Sequence, residues 1–160
     1  CDWSSDVCSS DLIRNYYSHP QKVCEDIFAN KKFGLSANYI VRLPGCNTWR
    51  IKSPKKYQER ISRSTIAYMD SMNIEAQIFG WDFEWTLKMS NNQTHVNELI
   101  AQMENNISSG EKKHRHYVIL LHDYLFKNNL SIENLNYFIN TLKKDNKAQF
   151  NWIQEYPVGK

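Results

Sequence analysis

Residues 116–122 read HYVILLH: four aliphatic or β-branched side chains in a row, Val118 to Leu121, with histidine at each end of the stretch. The run is far too short to cross a membrane, and it lacks the polar gaps of an amphipathic helix. It also lacks the alternation of a strand with one wet face. An unbroken apolar run of this length suits a strand covered on both faces, as strands of a parallel sheet are. Parallel strands need crossover connections, so helices are expected on either side.

The flanking sequence has that form. Upstream, Thr94 to Ser109 places Val96, Leu99, Ile100, Met103 and Ile107 at helical spacing, with Gly110 as the stop. Downstream, Ser131 to Asn146 turns Ile132, Leu135, Phe138, Ile139 and Leu142 to one side. Further out, residues 20–32 form a helix that opens on Pro20, with Val23, Ile27 and Phe28 on one side. Residues 53–72 form another, with Ser53 as cap, Pro54 in the first turn, and Tyr57, Ile61 and Tyr68 recurring at helical spacing. Strands are expected at 38–43 (NYIVRL), stopped by Pro44-Gly45, at 74–82 (IEAQIFGWD) and at 148–153 (AQFNWI). Residues 86–93 (TLKMSNNQ) are expected to be a mobile loop. Helix and strand alternate four times, which predicts an α/β fold with right-handed crossovers and a parallel sheet.

The first twelve residues, CDWSSDVCSSDL, do not belong to this pattern. They hold four serines and three aspartates, no lysine or arginine, and neither a helical nor a strand period. They have no charged n-region or apolar h-region, so they are not a signal peptide. The string resembles the in-frame translation of a sequencing-library adapter. Residues 1–12 are therefore set aside as adapter-derived, and 13–160 are read as one domain whose natural N-terminus is expected to be missing.

With Asp2, Asp6 and Asp11 set aside, the formal charge moves from +3 to +6, and it is scattered. Lys112, Lys113 and Arg115 form the one tight basic cluster, and a solvated loop accounts for it better than a phosphate-contacting patch. No nucleic-acid partner, membrane span or obligate protein partner is expected. Apart from Cys1 and Cys8, the cysteines are Cys24 and Cys46, without a C-x-x-C spacing. They describe neither a zinc site nor a disulfide framework, and a single Cys24–Cys46 disulfide stays open.

In parallel α/β sheets, binding and catalytic groups collect at the C-terminal ends of the strands. Arg42, Asp82 and His122 each close an expected strand, and consecutive parallel strands would bring them to one rim. A cation, a carboxylate and an imidazole together are parts for acid–base chemistry. Each also has a plain structural use. Arg42 can cap a strand end. Asp82 and Glu84 share a side by alternation, and one of them can serve as a loop cap. A histidine ending an apolar strand can be a satisfied core residue. Trp49 and Trp85 fall in loops at that rim, where exposed rings would suit the apolar face of a sugar or a small apolar pocket. Trp81 is expected in the core.

The stretches VRLPGCNTW, FGWDFEW and VILLHD, in this order and spacing, resemble the later motifs of the polysaccharide deacetylase family, the NodB-homology domain of carbohydrate esterase family 4. The resemblance covers roughly residues 13–157. The wording RLPG-NTW departs from the family's commoner R-x-P followed by an aromatic, which leaves the substrate open. The resemblance implies the C-terminal part of a deformed (β/α) barrel with its first strands missing. It implies a hydrolase that removes N- or O-acetyl groups from a polysaccharide of chitin, peptidoglycan or xylan type, acting on carbon–nitrogen (non-peptide) or ester bonds. It also implies a divalent metal, most commonly zinc, and an extracytoplasmic or cell-envelope location.

The same resemblance gives roles to residues. Arg42 would orient an aspartate base. Asp82 would orient and tune His122, which as imidazolium would protonate the leaving amine or alcohol. Leu120 would help line the acetate-methyl pocket, and Trp49 and Trp85 would bind substrate. The family's base and metal ligands sit in an aspartate pair and an H-x-x-x-H of earlier motifs. Here only YYSHP approaches the second, with Asn15 in place of its first histidine and His19 as its second. His19 reads as a surface residue before a helix, so no metal ligand is assigned, and the chain as given is expected to be inactive. The alternative is a non-catalytic carbohydrate-binding α/β domain. An unrelated α/β hydrolase would need its own nucleophile, and neither G-x-S-x-G nor G-x-x-x-x-G-K-[ST] occurs.

Overall fold

The computed structural model describes residues 10–29, 39–51, 58–108, 116–144 and 148–157. The chain divides into two compact units, Cys1–Trp81 with Pro157–Lys160, and Asp82–Tyr156. Helices and short parallel strands make up both, so the fold is α/β.

The first unit contains α1 (Ser10–Tyr17), α2 (Pro20–Ala29), β1 (Tyr39–Val41), α3 (Arg63–Ser71) and β2 (Ala76–Ile78). Strands β1 and β2 pair in parallel, with Tyr39 opposite Ala76 and Val41 opposite Ile78. Tyr17, Val23, Ile27, Leu43, Ile66, Met69 and Ile78 form the core. Helix α2 buries Val23, Cys24 and Ile27, whereas Phe28, expected on that side, is 40% exposed. At 3.6 residues per turn Phe28 points about 140° from Val23, beyond the buried arc. The helix expected over 53–72 begins as a 3₁₀ turn at Arg60–Ser62 and continues as α3. Ser53, Pro54 and Tyr57 lie outside the described residues. Helix α1 starts at Ser10, so the boundary drawn after residue 12 falls inside a helix. Cys24 and Cys46 are both free thiols in the core, not a disulfide. Burial raises the pKa of each above that of an ordinary thiol.

The second unit contains β3 (Phe83–Glu84), α4 (Leu87–Asn91), α5 (Gln93–Ser108), β4 (Ile119–Leu120) and α6 (Asn129–Lys143), with 3₁₀ turns at Asp123–Leu125 and Ile153–Glu155. Strands β3 and β4 are parallel, Phe83 opposite Ile119 and Glu84 opposite Leu120. Trp85, Val96, Leu99, Ile100, Met103, Leu125, Phe138 and Leu142 fill the core. Among the described residues, no helix is long and apolar enough to cross a membrane.

Several expectations are corrected. Residues 74–82 are not one strand: the ladder stops at Ile78 and resumes at Phe83 with a different partner. Among the described residues the strands pair two by two, β1 with β2 and β3 with β4. Residues 116–122 are not buried on both faces. Val118, Ile119 and Leu120 are half-buried, and Leu121 is exposed just past the two-residue ladder that ends at Leu120. Residues 86–93 are not a loop. Helix α4 occupies most of them, held by the buried amide of Asn134, which donates to the carbonyls of Met89 (3.0 Å) and Ser90 (3.1 Å). On α6, Ile132 is exposed, lying about 120° from buried Phe138. Residues 148–153 form no strand, and Phe150 and Trp152 stand exposed. Gly110 and the cluster Lys112, Lys113 and Arg115 lie outside the described residues.

Candidate functional site

The expected site residues divide between the units: Arg42 and Trp49 fall in the first, Asp82, Trp85, Leu120 and His122 in the second.

In the first unit the segment after β1 is pinned at many points. Pro44-Gly45 makes the turn, with Gly45 at φ +63°, a region that favours glycine. Tyr17 donates its hydroxyl to the Pro44 carbonyl at 2.6 Å and accepts from the Cys46 thiol at 3.3 Å. Burial and these neighbours push the Tyr17 phenol far above its ordinary pKa, so it stays a neutral donor. Thr48 and Ser62 share a buried 2.6 Å hydrogen bond. The Arg50 guanidinium donates to Asp70 at 2.7 Å and to the carbonyls of Ile74 (2.9 Å) and Ala76 (2.7 Å).

Within this frame Arg42 is exposed, and its guanidinium lies 6.0 Å from the centre of the Trp81 ring, at the outer edge of cation–π range. Trp81 is half-buried rather than core. The side-chain amide of Asn47 holds its backbone, accepting from Trp81 N at 2.9 Å and donating to Trp81 O at 2.8 Å. Gly80 makes that approach feasible. A Cβ there would collide with Asn47 Oδ1 and come within 2.5 Å of Trp49 Nε1. Gly80→Ala is therefore expected to cost about 1–3 kcal/mol through overpacking, read from urea unfolding; an unchanged midpoint would contradict this packing.

The expectation that Trp49 and Trp85 present exposed rings is corrected. Trp49 is 3% exposed and packs edge-on against Phe79 at 5.9 Å. Trp85 is fully buried, packs against Phe138 at 5.4 Å, and donates its indole N–H to Ser90 Oγ at 2.9 Å. Each ring gains more from core burial than a strand-end loop would give it in water.

In the second unit β3 and β4 place several chemical groups side by side. The parallel register sets Glu84 beside Leu120, and alternation returns His122 to the same face. His122 Nε2 lies 3.9 Å from Glu84 Oε1, and both side chains are partly exposed. This is charge proximity rather than a hydrogen bond. Asp82 locks the start of β3: its N–H donates to the Val118 carbonyl (2.8 Å) and its Oδ2 accepts the Val118 N–H (2.8 Å). The carboxylate found beside the His122 ring is thus that of Glu84, the residue that alternation had paired with Asp82. Leu120 is half-buried, and its carbonyl accepts the Trp85 N–H at 2.9 Å.

Tyr124 was not foreseen. Its ring stacks on the His122 ring, with centroids 5.2 Å apart and planes tilted by 30°. Nothing in H-D-Y marks this. The contact depends on the 3₁₀ turn Asp123–Leu125, which begins only because the ladder has ended.

His19 is exposed, with Nδ1 3.0 Å from the Asn15 carbonyl. It lines an open cavity of about 490 Å³ in the first unit with Tyr16, Lys22, Glu25 and Asp26. Among the described residues, no three His, Cys, Asp or Glu side chains group closely enough to hold a metal. No protein-family model, curated protein or solved structure matches the chain.

Proposed function

We propose that this chain contributes the proton-donor side of a metal-dependent polysaccharide deacetylase, which hydrolyses N- or O-acetyl groups on a glycan within a deformed (β/α) barrel. The observation that carries the reading is His122, placed just past the end of a parallel strand with the Glu84 carboxylate 3.9 Å from its Nε2. It is joined by the three motif stretches that resemble the family.

His122 is the general acid. With both nitrogens protonated it passes a proton to the amine or alcohol released as the acetyl carbon–nitrogen or carbon–oxygen bond breaks. Glu84 balances the charge of the imidazolium and restrains the ring. Nε2 faces Glu84, so Nδ1 is the nitrogen left to address the leaving group. Leu120, half-buried on the same face, offers apolar surface to the acetyl methyl. Asp82 supports His122 indirectly, by locking the start of β3, the strand that carries Glu84. A divalent metal would activate the attacking water in such an enzyme. The described residues do not fit a metal, so the chemistry assigned to this chain stops at proton transfer and substrate holding.

Two measurements test the reading. The chain alone is expected to take up no stoichiometric zinc and to release no acetate from acetylated chitin, peptidoglycan or xylan fragments; a tight one-to-one zinc isotherm would overturn the ligand assignment. Extended at its N-terminus by a segment that supplies the aspartate pair and H-x-x-x-H of the family's earlier motifs, the polypeptide is expected to release acetate. A folded, metal-loaded extension that binds glycan without releasing acetate would instead support a carbohydrate-binding domain.

A further inference from the structure

We infer that Tyr124 is the sugar-stacking residue of this site, receiving one pyranose ring of the glycan next to His122. The class of ligand rests on the proposed function; the identity of the residue rests on geometry.

A glycan-binding site needs an aromatic face within reach of the reacting group and open to solvent. The two tryptophans expected to supply it are enclosed in the cores of their units. Tyr124 is the aromatic beside the reacting group: one face of its ring lies against the His122 imidazole, and the residue remains 37% exposed. The turn that carries it is fixed from below. Leu125 is 5% exposed within the core, and its N–H donates to the His122 carbonyl at 3.1 Å. The Asp123 carboxylate accepts the Tyr124 N–H at 2.8 Å, and the Phe126 N–H closes the turn on the Asp123 carbonyl at 3.0 Å. A side chain on so constrained a turn gives up little further freedom on binding, so little of the contact energy is spent on ordering.

The chemistry selects a sugar. The axial C–H groups of a pyranose are weakly positive and pack against the negative face of a phenol ring, while its hydroxyls reach water and nearby polar groups. Glu84 supplies an acceptor on the same site, and the Tyr124 hydroxyl supplies both donor and acceptor. One face of the Tyr124 ring lies against the imidazole, so the sugar stacks on the other face and its substituents pass the ring edge toward His122.

The test is affinity, which is independent of turnover. The chain is titrated with acetylated chito-oligosaccharide and with acetylated xylo-oligosaccharide by calorimetry, alongside Tyr124→Ala, Tyr124→Phe and Trp152→Ala. Trp152 is the most exposed aromatic on the described surface, at 78%, and serves as the comparator. Tyr124→Ala is expected to weaken binding about tenfold, with Tyr124→Phe retaining most of it and Trp152→Ala unchanged. In parallel, the His122 ring protons should lose their ring-current displacement in Tyr124→Ala and keep it in Tyr124→Phe, with near-ultraviolet circular dichroism reporting an intact core in each. Undiminished affinity in Tyr124→Ala, or loss in Trp152→Ala instead, overturns this inference and leaves the proposed function standing. Failure of the unsubstituted chain to bind either glycan overturns the inference. Binding that depends on Tyr124, with no acetate released by the extended polypeptide, upholds the inference and ends the deacetylase reading.

Discussion

Trp85→Ala will destabilise the second unit by about 3–5 kcal/mol, the range for deleting a fully buried large aromatic side chain. The indole has no solvent exposure, packs against Phe126 and Phe138, and donates a hydrogen bond to Ser90 near the end of α4. Truncation leaves a cavity under that helix and strips the Ser90 hydroxyl of its donor. Trp85→Phe keeps most of the packing and loses the indole N–H, so it should cost clearly less, with about 1 kcal/mol of its loss belonging to the hydrogen bond. Urea unfolding followed by far-ultraviolet circular dichroism measures both. The same variant decides between two placements of this residue: a rim aromatic standing in water would lose less than about 1 kcal/mol on truncation, and such a result would return Trp85 to the substrate side.

His122→Ala will lower the rate of acetate release by about 10²–10⁴-fold in the upstream-extended polypeptide, the usual contribution of a positioned general acid. Its metal content should not change, because His122 faces Glu84 and Tyr124 rather than a cluster of ligands. Glu84→Gln should reduce turnover less than His122→Ala, since it removes the balancing charge but leaves the donor in place. Loss of metal in His122→Ala would make His122 a ligand and reverse the assignment. Equal turnover in the variant and the parent would remove it from the chemistry altogether.

The helices were the most legible part of the chain. Five apolar residues at helical spacing between Thr94 and Ser109 marked α5, which runs from Gln93 to Ser108. The stripe ending at Leu142 marked α6, although the helix opens at Asn129, where the Asn128 side chain caps it by accepting the Ser131 N–H at 2.9 Å. Strands were legible in sense but not in extent. Three of the four expected stretches hold a parallel strand, 148–153 holds none, β3 begins just past the stretch expected to end at Asp82, and the ladders hold only two or three residues each. Apolar runs report a tendency to be covered, whereas the length of a ladder depends on which edge another segment reaches. The helix α4 was missed because TLKMSNNQ carries no apolar period; its stability comes from Asn134 and Trp85, residues 44 and 5 positions away from Ser90.

What the sequence determined by itself was the alternation of helix and parallel strand, because period and chain order are local properties. Tertiary structure alone decided that Glu84 faces His122, that Tyr124 covers its ring, and that Trp49 and Trp85 belong to the core. Those outcomes depend on strand register and on competition for buried volume, and neither is a property of any one stretch of chain.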